Sequence, residues 1–323
     1  MKTTGQRGPT PKMTYKVYVV DISDDGKRLD SFLAERAEIT RSACAKLIEA
    51  GNVAVNGTDV PKSFVVSAGA SVEVALPDPE PIDALPEDIP LDIVYEDADI
   101  IVVNKPKGMV VHPAAGNPSG TLVNALLWHC GGSLSGINGK IRPGIVHRID
   151  KNTSGLLVCA KNDVAHISLA EQLKEYKVER KYEAMVVGKM RSDSGTVDAP
   201  IGRHPVDRKC MAVVPNGREA ITHYRVLERF EGFTHLELQL ETGRTHQIRV
   251  HMKAQGHPVM GDTLYGAGRT AFEQHNAKLL HEQCLHARTL AFDHPQTGEH
   301  MLFEAPLPEY FTQILAKLEG TRI

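Results

Sequence analysis

The chain has 323 residues, 41% hydrophobic and 24% charged, with a formal net charge of −3. At roughly 150 residues per domain, that length points to two domains with a sizeable core, and the composition excludes disorder as the main state. No apolar run approaches the roughly 20 residues of a bilayer span, and the start MKTTGQRGPTPKMTYK lacks the apolar centre of a signal peptide, so a cytoplasmic chain without a membrane segment is expected.

Residues 1–14 read as a flexible arm. Leu29, Phe32 and Leu33 then recur at the spacing of one helix face. Thr40 is a good N-cap for a second helix, with Ala43, Leu47 and Ile48 inward and Gly51 as its stop. Val53 to Val55 runs as a strand into the turn dipeptide Asn56-Gly57, and Val65-Val66 and Val72 to Leu76 read as further strands. Residues 15–76 are thus expected to form a small α/β domain. The segment LPDPEPIDALPEDIP holds five prolines and a high density of acids, so residues 77–90 read as a linker that cannot pack.

Beyond it, Asp92 to Tyr95 and Ile100 to Val103 read as antiparallel strands around a Glu-Asp-Ala-Asp turn. Asn162 or Asp163 caps a helix running to about Lys177, with Ile167, Ala170 and Leu173 inward. Tyr182 to Val187 reads as a strand, and Leu236, Leu238 and Leu240 alternate along another that ends at Glu241-Thr242-Gly243. Thr245 is placed to cap a helix ending at Gly256, which would set His246, Arg249 and Lys253 on one polar face. Long strands separated by single helices predict an α+β domain over residues 91–323.

Between Lys62 and Lys105 lie ten acids and no Lys or Arg, which leaves the remainder net basic and able to hold a polyanion. Five cysteines without a C-x-x-C pair argue against a disulfide framework or a thiolate zinc site and are expected to be reduced. His246 with His251, or His281 with His286, lacks the spacing and third ligand of a zinc site, so no metal is expected.

The densest cluster of special residues is Gly144 to Leu156, GIVHRIDKNTSGL, which joins Asp150 to several bases in a turn-rich segment. Neighbouring cations favour an ionised Asp, which can serve as nucleophile or base. The plainer reading of the same residue is a cap for the Asn152, Thr153 and Ser154 amides.

The string HRIDKNTSGLLVCAK resembles the H-R-L-D-x-x-T-S-G-L motif of RluA/RluD-type pseudouridine synthases, with Ile149 at the usual Leu position. Residues 91–128, 180–188 (RKYEAMVVG) and 241–262 (ETGRTHQIRVHMKAQGHPVMGD) resemble that family in order and spacing, and residues 27–76 resemble the S4 RNA-binding module. The resemblance implies a mixed, largely antiparallel catalytic sheet and a cofactor-independent isomerase. It would break the C1′–N1 bond of a uridine in RNA, turn the base and rejoin it through C5. It implies Asp150 as the essential carboxylate, Arg249 as its basic partner, Tyr182 as the residue stacking on a flipped-out base, and Arg148 as a filler of the vacated space. In the S4-like part, Arg28, Arg41 and Lys46 are expected to contact phosphates. The expected substrate is bacterial large-subunit (23S) ribosomal RNA, with transfer RNA or a noncatalytic ribosome-assembly role as alternatives. A protein kinase is excluded, because Ile149 interrupts H-R-D and neither D-F-G nor a Gly-rich loop is present.

Overall fold

The computed structural model describes residues 13–37, 41–77, 84–114, 116–131, 133–135, 143–207, 209–266 and 270–323. The chain divides into two compact units, 1–81 and 82–323.

The first unit runs β1 (Met13–Val19), α1 (Leu29–Arg36), α2 (Arg41–Glu49), β2 (Val53–Val55), β3 (Thr58–Asp59) and β4 (Ser71–Pro77). Its sheet order is β1-β4-β2-β3 with antiparallel pairing throughout. Asn56 and Gly57 both take positive φ, 50° and 75°, as a type I′ turn between β2 and β3 requires. Leu29, Phe32 and Leu33 are buried on the predicted face of α1, against Cys44, Ile48 and Val72. Thr40 lies outside the described residues, as do the side chains of Arg41 and Ala43. Two expectations change here. Val65-Val66 forms no strand: Val65 makes a single bridge to Arg28, while Val66 is buried. The arm reading stops short as well, because β1 begins at Met13 and pairs along its length with β4.

The second unit runs β5 (Ile93–Glu96), β6 (Ile100–Lys105), α3 (Leu122–His129), β7 (Ser154–Ala160), α4 (Asp163–Lys174), β8 (Glu179–Val187), β9 (Ser194–Asp198), β10 (Ile201–Arg203), β11 (Met211–Val213), β12 (Ile221–Phe230), β13 (Phe233–Leu240), α5 (Gln247–Ala254), α6 (Ala271–His275), α7 (Ala277–Leu280), β14 (Leu285–Asp293), β15 (His300–Glu304) and α8 (Glu309–Leu318). Strands order as β5-β6-β7-β14-β8-β13-β12-β9, with β15 on β14 and a separate β10–β11 hairpin. All these pairs are antiparallel except β7–β14, so the unit is α+β on a mixed, mostly antiparallel sheet.

Strands β6 and β7 are buried on both faces, which explains their unbroken apolar runs IIVV and LLVCA. Ile101, Val103, Leu157 and Cys159 belong to the core cluster that holds residues of α3 and α5, whereas Ile100, Val102, Leu156 and Val158 belong to the one that holds residues of α4. Gly155 takes φ +114° where β7 meets β14, and a Cβ there would collide with the Ala287 backbone. Asn162 caps α4 by accepting the Ala165 amide, as expected, but the inward face is Ala165, His166 and Leu169, with Ile167 exposed.

The segment read as an unpacked linker is anchored from Ala84 onward. Asn124 donates to the Leu85 carbonyl (2.8 Å) and its own carbonyl accepts the Glu87 amide (3.0 Å), while Ala84 joins the core. The Leu85 carbonyl and the Glu87 amide thus find their partners on Asn124 of α3 in place of a regular element. No helix among the described residues is long and apolar enough to cross a membrane.

Candidate active site

The Asp150 loop lies between a bridge, Ile145 to Cys159, and the start of β7. His147 Nε2 accepts the Val158 amide at 3.1 Å, and burial, with help from the Arg180 charge, pushes its imidazole down to about 3. Ile149 points into the core, so the next side chain in the extended segment, Asp150, points away from it. The Asp150 carbonyl accepts the Thr153 amide at 3.1 Å and makes the turn, whereas the carboxylate is directed at α5. Capping of the Thr153 and Ser154 amides is therefore not what this carboxylate does. Lys105 holds the loop from below: it is buried, and its Nζ donates to the carbonyls of Pro106 (2.8 Å), Met109 (2.9 Å) and Lys151 (3.1 Å). Burial draws this ammonium down to about 7, with the Asp150 charge opposing the shift.

Helix α5 does not begin with a Thr245 cap. Gln247 instead ties the start of the helix to the loop before it and to β12: Oε1 accepts from Thr242 Oγ1 (2.8 Å) and the Arg244 amide (2.9 Å), while Nε2 donates to the Ile221 carbonyl (2.9 Å). His246 is left-handed at φ 57°, and Thr245 accepts from Arg148 Nη2 at 3.0 Å. The expected polar face does not form either, since Arg249 is only 5% exposed. Two carboxylates make that burial tolerable. Arg249 Nε and Nη2 donate to Asp262 at 2.7 and 3.0 Å, and Nη1 donates to Asp150 Oδ2 at 2.8 Å. Burial opposes the guanidinium charge, but the Asp262 hydrogen bonds and the Asp150 charge outweigh it and raise the Arg249 pKa. Asp262 itself is sealed from solvent and also accepts the Leu264 and Tyr265 amides, both at 3.0 Å. His246 bridges from Tyr265 Oη (2.6 Å) to within 3.9 Å of Asp150 Oδ1.

Asp150, Arg249 and Tyr182 line one cleft of about 750 Å³, which Arg148, Arg180 and His246 also border. Tyr182 stands in β8 opposite Leu238 and Ala287. Burial raises its phenol above the usual value, so it keeps its proton at neutral pH. Arg148 is exposed at the cleft. In the first unit, Arg28 pairs with Asp30 through two 3.1 Å hydrogen bonds, and Lys46 is exposed on α2. Asp262, Lys105, Arg180 and Tyr265 escaped the sequence reading as site residues, although Asp262 closes the GHPVMGD string already singled out. His251 and His286 are taken up by the fold, His251 on Thr222 Oγ1 and the Ala199 carbonyl (both 2.9 Å), His286 on Ser154 Oγ (2.9 Å).

The family model described as RNA pseudouridylate synthase matches residues 99–254, and that of the S4 domain matches residues 27–72. An RNA pseudouridine synthase of Bacillus subtilis is 53% identical over 90% of this chain and 94% of its own length. A protein of Pseudomonas aeruginosa named ribosomal large subunit pseudouridine synthase D is 48% identical over 92% of this chain and 93% of its own length. The solved structure of human RNA pseudouridylate synthase domain containing 1 superposes with a TM-score of 0.54 at 26% identity, covering 76% of this chain and 98% of that one. A cleft that presents a carboxylate, its guanidinium partner and a buried tyrosine, on an α+β sheet with an S4 domain ahead of it, thus sits in a chain that belongs to the RNA pseudouridine synthase family.

Proposed function

We propose that this enzyme isomerises uridines of large-subunit ribosomal RNA to pseudouridine, with Asp150 as the essential carboxylate. The observation that carries the site assignment is the asymmetry around Arg249: Asp262 is wholly buried, whereas Asp150 lines the cleft with its side chain 24% exposed. Asp262 fixes the guanidinium, the guanidinium aims Asp150, and only Asp150 can meet a nucleotide.

The target base must leave its stack to reach the cleft, at a cost of a few kcal/mol, and Tyr182 offers a ring to receive it. The C1′–N1 bond breaks with its electron pair on the base, the base turns, and C5 bonds to C1′. The C5 proton leaves and N1 gains one, so the product is an isomer and no oxidant is required. The Tyr182 hydroxyl is the group assigned to the C5 proton, and Arg148, exposed at the cleft, the group assigned to the space the base vacates.

Residues 15–76 act as an RNA-binding module in this reading, with Arg28, Arg41 and Lys46 on phosphates, joined through the acidic segment 77–90 to the catalytic residues 91–323. The ribosomal substrate is supported by the names of relatives such as the P. aeruginosa protein, and a cytoplasmic site of action follows from that substrate. Mapping pseudouridine in ribosomal and transfer RNA from cells with and without this chain tests it. Sites lost from large-subunit RNA are expected; sites lost only from transfer RNA would reassign the substrate.

A further inference from the structure

Arg180 has no place in the mechanism above, yet it borders the same cleft. It precedes Tyr182 by two residues in β8, so both side chains leave the same face of the strand. It is only 8% exposed, and among the described residues its hydrogen bond runs from Nη2 to the Glu241 carbonyl at 2.8 Å. Its Nε is buried with no acceptor among the described residues. The contrast with the neighbouring buried cations is plain: Arg249 meets two carboxylates, and the Lys105 ammonium meets three carbonyls. The guanidinium is also given room, since a Cβ on Gly243 would fall 2.7 Å from Arg180 Nη1. Burial is the larger influence on the Arg180 guanidinium and lowers its pKa.

A buried guanidinium with an unused donor and, among the described residues, no carboxylate paired with it is costly for a fold to maintain. It becomes favourable when a ligand that carries negative charge completes it. Phosphates stay with the RNA backbone, whereas the base is the part of the nucleotide that must reach Tyr182. Once C1′–N1 has broken, the base holds an extra electron pair delocalised onto its carbonyl oxygens, and no such charge exists in the intact uridine. A donor aimed there stabilises the reacting state more than the bound substrate.

We propose that Arg180 is a further catalytic residue of this centre, its guanidinium donating to a carbonyl oxygen of the cleaved uracil and stabilising the charge that the base gains there. The inference rests on the reading of the cleft as the uridine site. Its test combines Arg180→Gln and Arg180→Lys with RNA fragments that carry sulfur in place of oxygen at C2 or C4 of the target uridine. Arg180→Gln is expected to lower the single-turnover rate by about 10²- to 10³-fold with RNA affinity and its salt slope unchanged, and Arg180→Lys to recover part of that loss. At one of the two positions, the ratio of sulfur to oxygen rates should be lower in the unmodified enzyme than in either variant. Equal ratios in all three proteins would overturn the proposal, and so would a drop in affinity and salt slope, which marks a phosphate contact. If Arg180→Gln does not fold, the ratios in Arg180→Lys decide alone. Asp150→Asn in the same assay separates the two levels: an active Asp150→Asn enzyme removes the reading of the site, whereas an inactive one beside equal sulfur ratios removes only the role of Arg180.

Discussion

Replacing Asp262 by Asn should damage the fold, and replacing Asp150 by Asn should damage only the chemistry. Asp262 receives two hydrogen bonds from Arg249 and two from the amides of Leu264 and Tyr265, with its side chain sealed from solvent. An Asn there can still accept the amides and Arg249 Nη2 through its oxygen, but its NH₂ meets the Arg249 Nε donor, and the buried guanidinium loses its nearest counter-charge. Breaking one side of a buried ion pair costs about 3–5 kcal/mol, a large part of the roughly 5–15 kcal/mol that holds a domain together. Asp150→Asn leaves both Asp262 hydrogen bonds in place and changes a partly exposed partner, so its cost should be about 1 kcal/mol or less. Trp128 is the single tryptophan of the chain and lies in α3 of the catalytic unit, so its fluorescence in a urea titration reports that unit. Circular dichroism at the same urea concentrations gives an independent transition. Asp262→Asn should lower the midpoint steeply at constant slope, and Asp150→Asn should barely move it. Equal destabilisation by the two substitutions would refute the assignment of Asp262 as the buried anchor.

Tyr182→Phe keeps the ring and removes the hydroxyl, so RNA affinity should hold while product formation falls by about 10²-fold or more; full activity would leave the hydroxyl without a role in the proton step. His147 is held neutral in the folded chain, with a value near 3 against the usual 6.5. Between those limits the unfolded chain binds more protons, so stability present above pH 6.5 is lost as the pH falls toward 3. In a urea series across that window, His147→Gln should flatten the decline, and an unchanged slope would show that other groups govern acid unfolding. Lys46→Ala should reduce the dependence of RNA affinity on salt by about 0.7–0.9 in slope if it neutralises one phosphate, and an identical slope would remove it from the interface.

The strongest local patterns carried over into the fold. The run IIVV, read as a strand, is a doubly buried one, Asn162 is a cap, and Asn56-Gly57 is a turn, because each depends on neighbours in the chain; no strand was read over LLVCA, which forms β7. Arg249 was misplaced for the opposite reason. Its spacing with His246 and Lys253 suggested a solvated face, yet carboxylates 13 and 99 residues away pull it inside, and no local period encodes them. Tyr15, Val17 and Val19 do alternate, but their face of β1 is exposed, so the alternation marks no buried side and the sequence reading holds no strand there. Ile167 was placed inward in α4 on a spacing that serves either of two adjacent faces, and the sheet chose the one with Leu169. The motif strings pointed to Asp150, Tyr182 and Arg249, which the fold brings to one cleft. The buried residues that hold or accompany them, Asp262, Lys105 and Arg180, look in sequence like ordinary surface charges.

The central claim is that Asp150 acts on the nucleotide itself. Single-turnover conversion of a ribosomal RNA fragment by Asp150→Asn, measured beside its equilibrium affinity for the same fragment, tests that claim most directly. Tight binding, a stable fold and no pseudouridine are expected. Product at the unmodified rate would contradict it.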